Sequence, residues 1–150
     1  MSNIKLNKIF KTACIASDHA GFKLKEDIKD YLIDNNFSVF ALGPYNDRSV
    51  DYPDYAKKLV NRIKLKKSNV GILVCGSGTG MAISANKIKT IRAAVCYNLK
   101  STRLSRQHNN ANIIALGARF TNKKLSLKLV ETFLRTKFEG GRHLRRVKKI

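Results

Sequence analysis

The sequence is poor in acid. Its 150 residues hold 10 Asp and Glu against 30 Lys and Arg, a formal net charge of +20. No Asp or Glu lies between Asp54 and Glu131. That gap removes any hard-cation cage from the middle of the chain. Cysteine is also scarce. Cys14, Cys75 and Cys96 are odd in number and widely spaced, which does not fit a disulfide framework and points to a reduced, cytoplasmic setting. There is no Cys-x-x-Cys, and His19, His108 and His143 form no close pair in sequence, so neither a zinc site nor any other metal or cofactor is expected. No apolar run approaches the roughly 20 residues of a membrane helix. The opening "MSNIKLNKIFKTACIAS" is interrupted by lysines and too short in its apolar part for a signal segment. Aromatic residues are 8% of the chain and do not interleave with basic ones as in RNA-binding motifs. The positive charge still suits anionic partners: nucleic acid, lipid or phosphorylated substrates. Its lysines are scattered from Lys5 to Lys149, which disfavours a dedicated nucleic-acid surface.

What is present is a single domain, residues 1–150, with enough apolar residue (43%) for a real core. Short apolar runs alternate with helical patterns. Strands are predicted at Thr12–Ser17, Phe37–Leu42, Val70–Cys75, Ile91–Cys96 and Asn112–Gly117. Between them lie amphipathic stretches, among them "FKLKEDIKDYLIDN", "DYPDYAKKLVNRIKL" with Pro53 suited to a first turn, and "NKKLSLKLVETFLRTKF". The tail "EGGRHLRRVKKI" is basic and punctuated by glycine. Alternation of this kind predicts an α/β fold: a three-layer, doubly wound, five-stranded parallel sheet of the flavodoxin-like or Rossmann-like type. In such sheets ligands bind at the carboxyl ends of the strands. That rule selects Asp18 and His19, the stretch from Cys75 to Gly80, and Tyr97 with Asn98.

The stretch "GILVCGSGTGMAISANKI" reads as buried strand, glycine loop and helix. Gly76, Gly78 and Gly80 let backbone amides approach an anion at a helix N-terminus. The spacing is not G-x-G-x-x-G, and the next strand ends "VCYN" without the acid a dinucleotide loop requires. Met81 stands where a Walker loop has lysine, and where a cysteine phosphatase has arginine six residues after its cysteine. The loop is therefore an anion hole of another kind, opened by a thiol. Cys75 closes the strand and precedes a helix, a place that favours thiolate. A thiolate there can take a proton from a carbon beside a carbonyl, and the loop amides can hold the resulting oxyanion. Cys14 and Cys96 lie within apolar strands and read as core, as do Met81, Ile83 and Ile88. His108, in "RQHNN", reads as a helix end after the fourth strand, near the ligand edge. Arg142 and Arg146 are four apart and share a face if helical, an arrangement suited to a phosphate dianion.

In order, "SDHAGFKLK", "DYPDYA", "GILVCGSGTGMAISANK", "IRAAVC", "SRQHNNANIIALGAR" and "EGGRH" resemble type B ribose-5-phosphate isomerases. The likeness runs from Cys14 to Arg146. It implies a metal-free aldose–ketose isomerase acting on a sugar phosphate through an enediolate. It also implies a homodimer or dimer of dimers with sites at the subunit interface. By the same resemblance Cys75 is the general base; a second branch of the family uses glutamate where this chain has Met81. Gly76, Ser77, Gly78, Thr79 and Gly80 form the anion hole, with Ser77 or Asp18 shuttling protons between oxygens. Asp18, His19 and Asn109 contact substrate. His108 opens the furanose ring, reaching into the partner's site, and Arg119, Arg142 and Arg146 bind substrate or phosphate. Relatives acting on hexose 6-phosphates (allose or galactose) are the alternative within the family. A basic nucleic-acid-binding protein with a vestigial site is the alternative outside it.

Overall fold

The computed structural model describes residues 10–66 and 69–150. The basic stretch before Phe10, read above as no signal segment, lies outside the described residues, as does Lys67. The elements are β1 (Thr12–Ser17), α1 (Phe22–Asp34), β2 (Ser38–Ala41), α2 (Tyr52–Ile63), β3 (Asn69–Cys75), α3 (Thr79–Asn86), β4 (Ala93–Val95), α4 (Leu99–Asn109), β5 (Ile113–Gly117), α5 (Lys123–Arg135) and α6 (Arg142–Val147).

The sheet has the order β2-β1-β3-β5-β4, and every pairing is parallel. It is doubly wound, with β4 and β5 exchanged relative to the flavodoxin order. The chain turns back at β1 and β3, so the switch point falls where Asp18 and Cys75 emerge. The central strands β3 and β5 are buried along their whole length, because helices cover both faces. Alternate residues divide between two cores. Ile15, Ile72, Val74, Ile114 and Leu116 pack with Ile28 and Leu32 of α1 and with Leu129, Val130 and Phe133 of α5. Cys14, Leu73, Cys75 and Ala115 face the other way, onto α2 and α3.

Local sequence explains each helix. In α1 the buried Leu24, Ile28 and Leu32 recur every four residues. In α2, Pro53 occupies the first turn and Ala56, Leu59, Val60 and Ile63 form the buried face. Leu59 is fully buried, and trimming it to alanine should cost about 2–5 kcal/mol. Asn98 and Asn122 cap α4 and α5, accepting from the amides of Ser101 and Leu125, each at 2.8 Å.

The edge strands are shorter than expected. β4 omits Ile91 and Arg92, because the Arg92 amide bonds the Asn112 side chain (2.8 Å) and the Ile91 amide closes a turn on Ile88. Ile83, expected in the core, is 58% exposed. On α3 the inward positions are Met81, Ala82 and Ala85, and Ile83 points away from them. The glycine-punctuated tail holds a sixth helix, so Arg142 and Arg146 do share one.

Candidate active site at the carboxyl edge of the sheet

β3 delivers Cys75 to the switch point, 4% exposed. The chain then turns on Gly78, whose φ of +81° suits only glycine without strain. A Cβ there would stand 3.1 Å from the Leu116 carbonyl carbon. This turn directs the Gly78 N–H at Cys75 Sγ, 3.1 Å away. The other two thiols belong to the core. Burial pushes Cys14 up to about 11, against the opposing charge of Arg62. Cys96 is also raised by burial. Both are core groups, as read from the sequence.

The loop is fastened on three sides. The Ala118 and Arg119 amides donate to the Cys75 and Gly76 carbonyls at 2.8 and 3.0 Å. A Cβ on Gly76 would come within 3.0 Å of the Arg119 guanidinium, so that cation lies over the anion loop. The Thr79 amide donates to Ser77 Oγ (3.2 Å), and the Tyr97 hydroxyl donates to the Ser77 carbonyl (2.6 Å). From β1, the Asp18 amide bonds the Val74 carbonyl (3.1 Å), while Asp18 Oδ1 accepts from Gly21 (3.0 Å). His19 Nδ1 accepts from the Val50 amide (3.2 Å), which leaves the ring's proton on Nε2. One chain thus brings together Asp18, His19, Cys75, Gly76, Ser77, Gly78, Thr79, Gly80 and Arg119.

Tyr52 was not foreseen as a site residue. The "DYP" stretch is a helix start, as its proline suggested, yet the Tyr52 ring covers Gly80, where a Cβ would lie 2.8 Å from it. Only the packing of α2 on α3 creates that contact. Tyr97 was among the residues selected by the strand-end rule, and it follows β4 at the carboxyl edge.

The same chain does not bring His108, Asn109, Arg142 or Arg146 to this edge. α4 begins at the carboxyl end of β4 and descends for 11 residues, about 15 Å. His108 sits on its last turn, beside the amino ends of the strands. This corrects the expectation that it lies near the ligand edge of its own chain. α5 descends likewise, and α6 follows it to the same place. There His108 and His143, distant in sequence, stack with ring centroids 4.2 Å apart. Glu139 Oε2 lies 3.9 Å from His108 Nε2 and 3.5 Å from His143 Nε2. His143 is held below the usual imidazole range by burial, then by His108, Arg142 and Arg146, with Glu139 opposing.

Among the described residues His108, Glu139 and His143 form a candidate metal cluster, with ligand atoms within 4.8 Å of one another. The set does not suit a cation. The rings are 11° from parallel, so their lone pairs do not converge, and two arginines make the surroundings positive. No helix among the described residues is long and apolar enough to cross a membrane.

The family model described as Ribose/Galactose Isomerase matches residues 13–150. The chain belongs to this ribose/galactose isomerase family. Within it, the ribose-5-phosphate isomerase B of Escherichia coli is 39% identical over 93% of this chain and 94% of its own. The Thermotoga maritima ribose 5-phosphate isomerase structure superposes with a TM-score of 0.90 at 50% identity, covering 92% of this chain and 95% of that one. The Mycoplasma genitalium ribose-5-phosphate isomerase B, solved with bound ribulose-5-phosphate, gives 0.88 at 43% identity and 92% coverage of each chain.

Proposed function

We infer that this chain interconverts ribose 5-phosphate and ribulose 5-phosphate with Cys75 as the base. The observation that carries the assignment of the base is the Gly78 N–H directed at Cys75 Sγ within a glycine loop covered by Arg119. The Cys75 thiolate removes the C2 proton of the open-chain aldehyde. The electron pair left behind forms the C1–C2 double bond and moves negative charge onto O1, where loop amides hold it. The thiol returns its proton to C1, and Ser77 or Asp18 carries the remaining proton between O1 and O2. No oxidant or metal enters the balance.

The second half of the site supports a dimeric reading. His108, Asn109, Arg142 and Arg146 lie at the opposite edge of the sheet from Cys75, so one chain cannot close them on one substrate. In a two-fold dimer the lower edge of one subunit meets the upper edge of the other, and two complete sites form. Exposed apolar groups near these parts, Ile83, Phe120 and Leu144, suit burial in such a contact. Arg142 and Arg146 would then hold the phosphate, His108 would open the furanose ring, and His19, Asn109 and Arg119 would orient the sugar.

Cys75→Ala should lower turnover by about 10²–10⁴ with the fold intact, whereas Cys14→Ala should leave turnover nearly unchanged. Coupled assays on pentose and hexose phosphates, with circular dichroism as the folding control, measure both effects. Near wild-type turnover in Cys75→Ala would remove the thiol from the mechanism. A clear preference for a hexose 6-phosphate would favour the alternative substrate class.

A further inference from the structure

Glu139 and His143 surround His108, and the isomerase reading gives neither of them a task. His143 is 7% exposed and lies flat against the His108 ring. The arrangement is fixed by backbone as well as side chains. The Glu139 amide donates to the Gln107 carbonyl at 3.1 Å, tying the segment before α6 to the turn that carries His108. One residue earlier, the buried Arg106 donates from Nε to the Thr136 carbonyl (3.1 Å). The connection between α5 and α6 is thus bound to the end of α4 at two points.

We propose that Glu139 and His143 are positioning residues for ring opening, His143 fixing the plane of the His108 ring and Glu139 holding the proton that His108 takes up. This rests on the isomerase reading and on His108 as the ring-opening group. Ring opening moves the proton of the O1 hydroxyl to the ring oxygen O4. The C1–O4 bond breaks and the C1–O1 carbonyl forms, with no change of oxidation state. When His108 accepts the O1 proton it becomes an imidazolium, and it then delivers that proton to O4. Two imidazolium rings at stacking distance repel each other, so the pair carries one proton. His143 is buried and faces Arg142 and Arg146, which keeps it neutral. His108 is the more exposed ring, and Glu139 Oε2 stands between the two, 3.9 Å from His108 Nε2 and 3.5 Å from His143 Nε2. The geometry therefore leaves His108 as the ring that can reach substrate.

The test separates ring opening from enolisation. Ribulose 5-phosphate cannot close a furanose, so exchange of its C1 proton with deuterated solvent needs Cys75 and the anion loop but no ring step. Conversion of ribose 5-phosphate needs both. Glu139→Gln and His143→Ala should lower conversion by about tenfold or more, while exchange stays within about twofold of wild type. His143→Phe, which keeps a flat ring against His108, should recover most of the conversion lost in His143→Ala. Glu139 is half exposed, so Glu139→Gln will fold even if a His143 variant does not. Equal losses of exchange and conversion in Glu139→Gln, or no loss of conversion, would overturn the proposal. Wild-type protein with neither exchange nor conversion would instead refute the isomerase reading itself.

Discussion

A mixing experiment tests whether two chains share each site. Cys75→Ala damages the upper half-site and leaves the lower one whole. The double variant Arg142→Ala, Arg146→Ala does the reverse. A charge-assisted arginine–phosphate bond contributes about 1.5–3 kcal/mol, so losing two should cost at least about a hundredfold at low substrate concentration. Each parent alone is then nearly inactive. In a two-fold dimer each site takes Cys75 from one chain and the arginines from the other. A mixed dimer carries both lesions in one site and neither in the other. After random exchange about half of all dimers are mixed, so about a quarter of all sites are wild type. Activity should rise to about 25% of the wild-type value, far above the mean of the parents. The geometric basis is the separation of about 15 Å along α4, which keeps the half-sites of one chain apart. The assay is steady-state isomerisation after subunit exchange, with native mass spectrometry counting mixed species. Mixed dimers present without a gain in activity would refute the shared site.

Gly78→Ala should destabilise the fold by about 1–2 kcal/mol, since its φ of +81° is costly for alanine, and should reduce turnover more than thermal melting alone explains, because it disturbs the donor to Cys75. Lys25 is fully buried and donates to the Pro44 carbonyl; burial lowers its pKa from 10.5 despite the pull of Glu26. The unfolded chain then binds more protons between the folded value and 10.5, so stability should rise with pH in that window, and the rise should flatten in Lys25→Met when both are followed by denaturant melts. Replacing Lys64, Lys66 and Lys67 together should leave the Michaelis constant unchanged, and any RNA affinity seen by anisotropy should fall steeply with added salt and lack sequence preference; tight, specific binding at physiological salt would revive a nucleic-acid role.

Much of the fold is written locally. The apolar runs of β3 and β5, the four-residue recurrence of Leu24, Ile28 and Leu32, and Pro53 at a helix start depend on neighbours along the chain, so period and propensity reveal them. The upper half-site was legible for the same reason. Cys75 and its glycines are contiguous, and a strand end always meets the ligand edge of a parallel sheet. Tertiary structure decided the rest. The exchange of β4 and β5 follows from packing between distant segments. The tail helix depends on docking at the end of α4. His108 was identifiable by its motif, but its place was not, because a helix that starts at one edge of the sheet ends at the other. The stack of His108 on His143, with Glu139 beside both, joins residues far apart in sequence. No periodicity encodes such a contact; it exists because α4 and α5 descend side by side and α6 follows α5 to the edge where α4 ends.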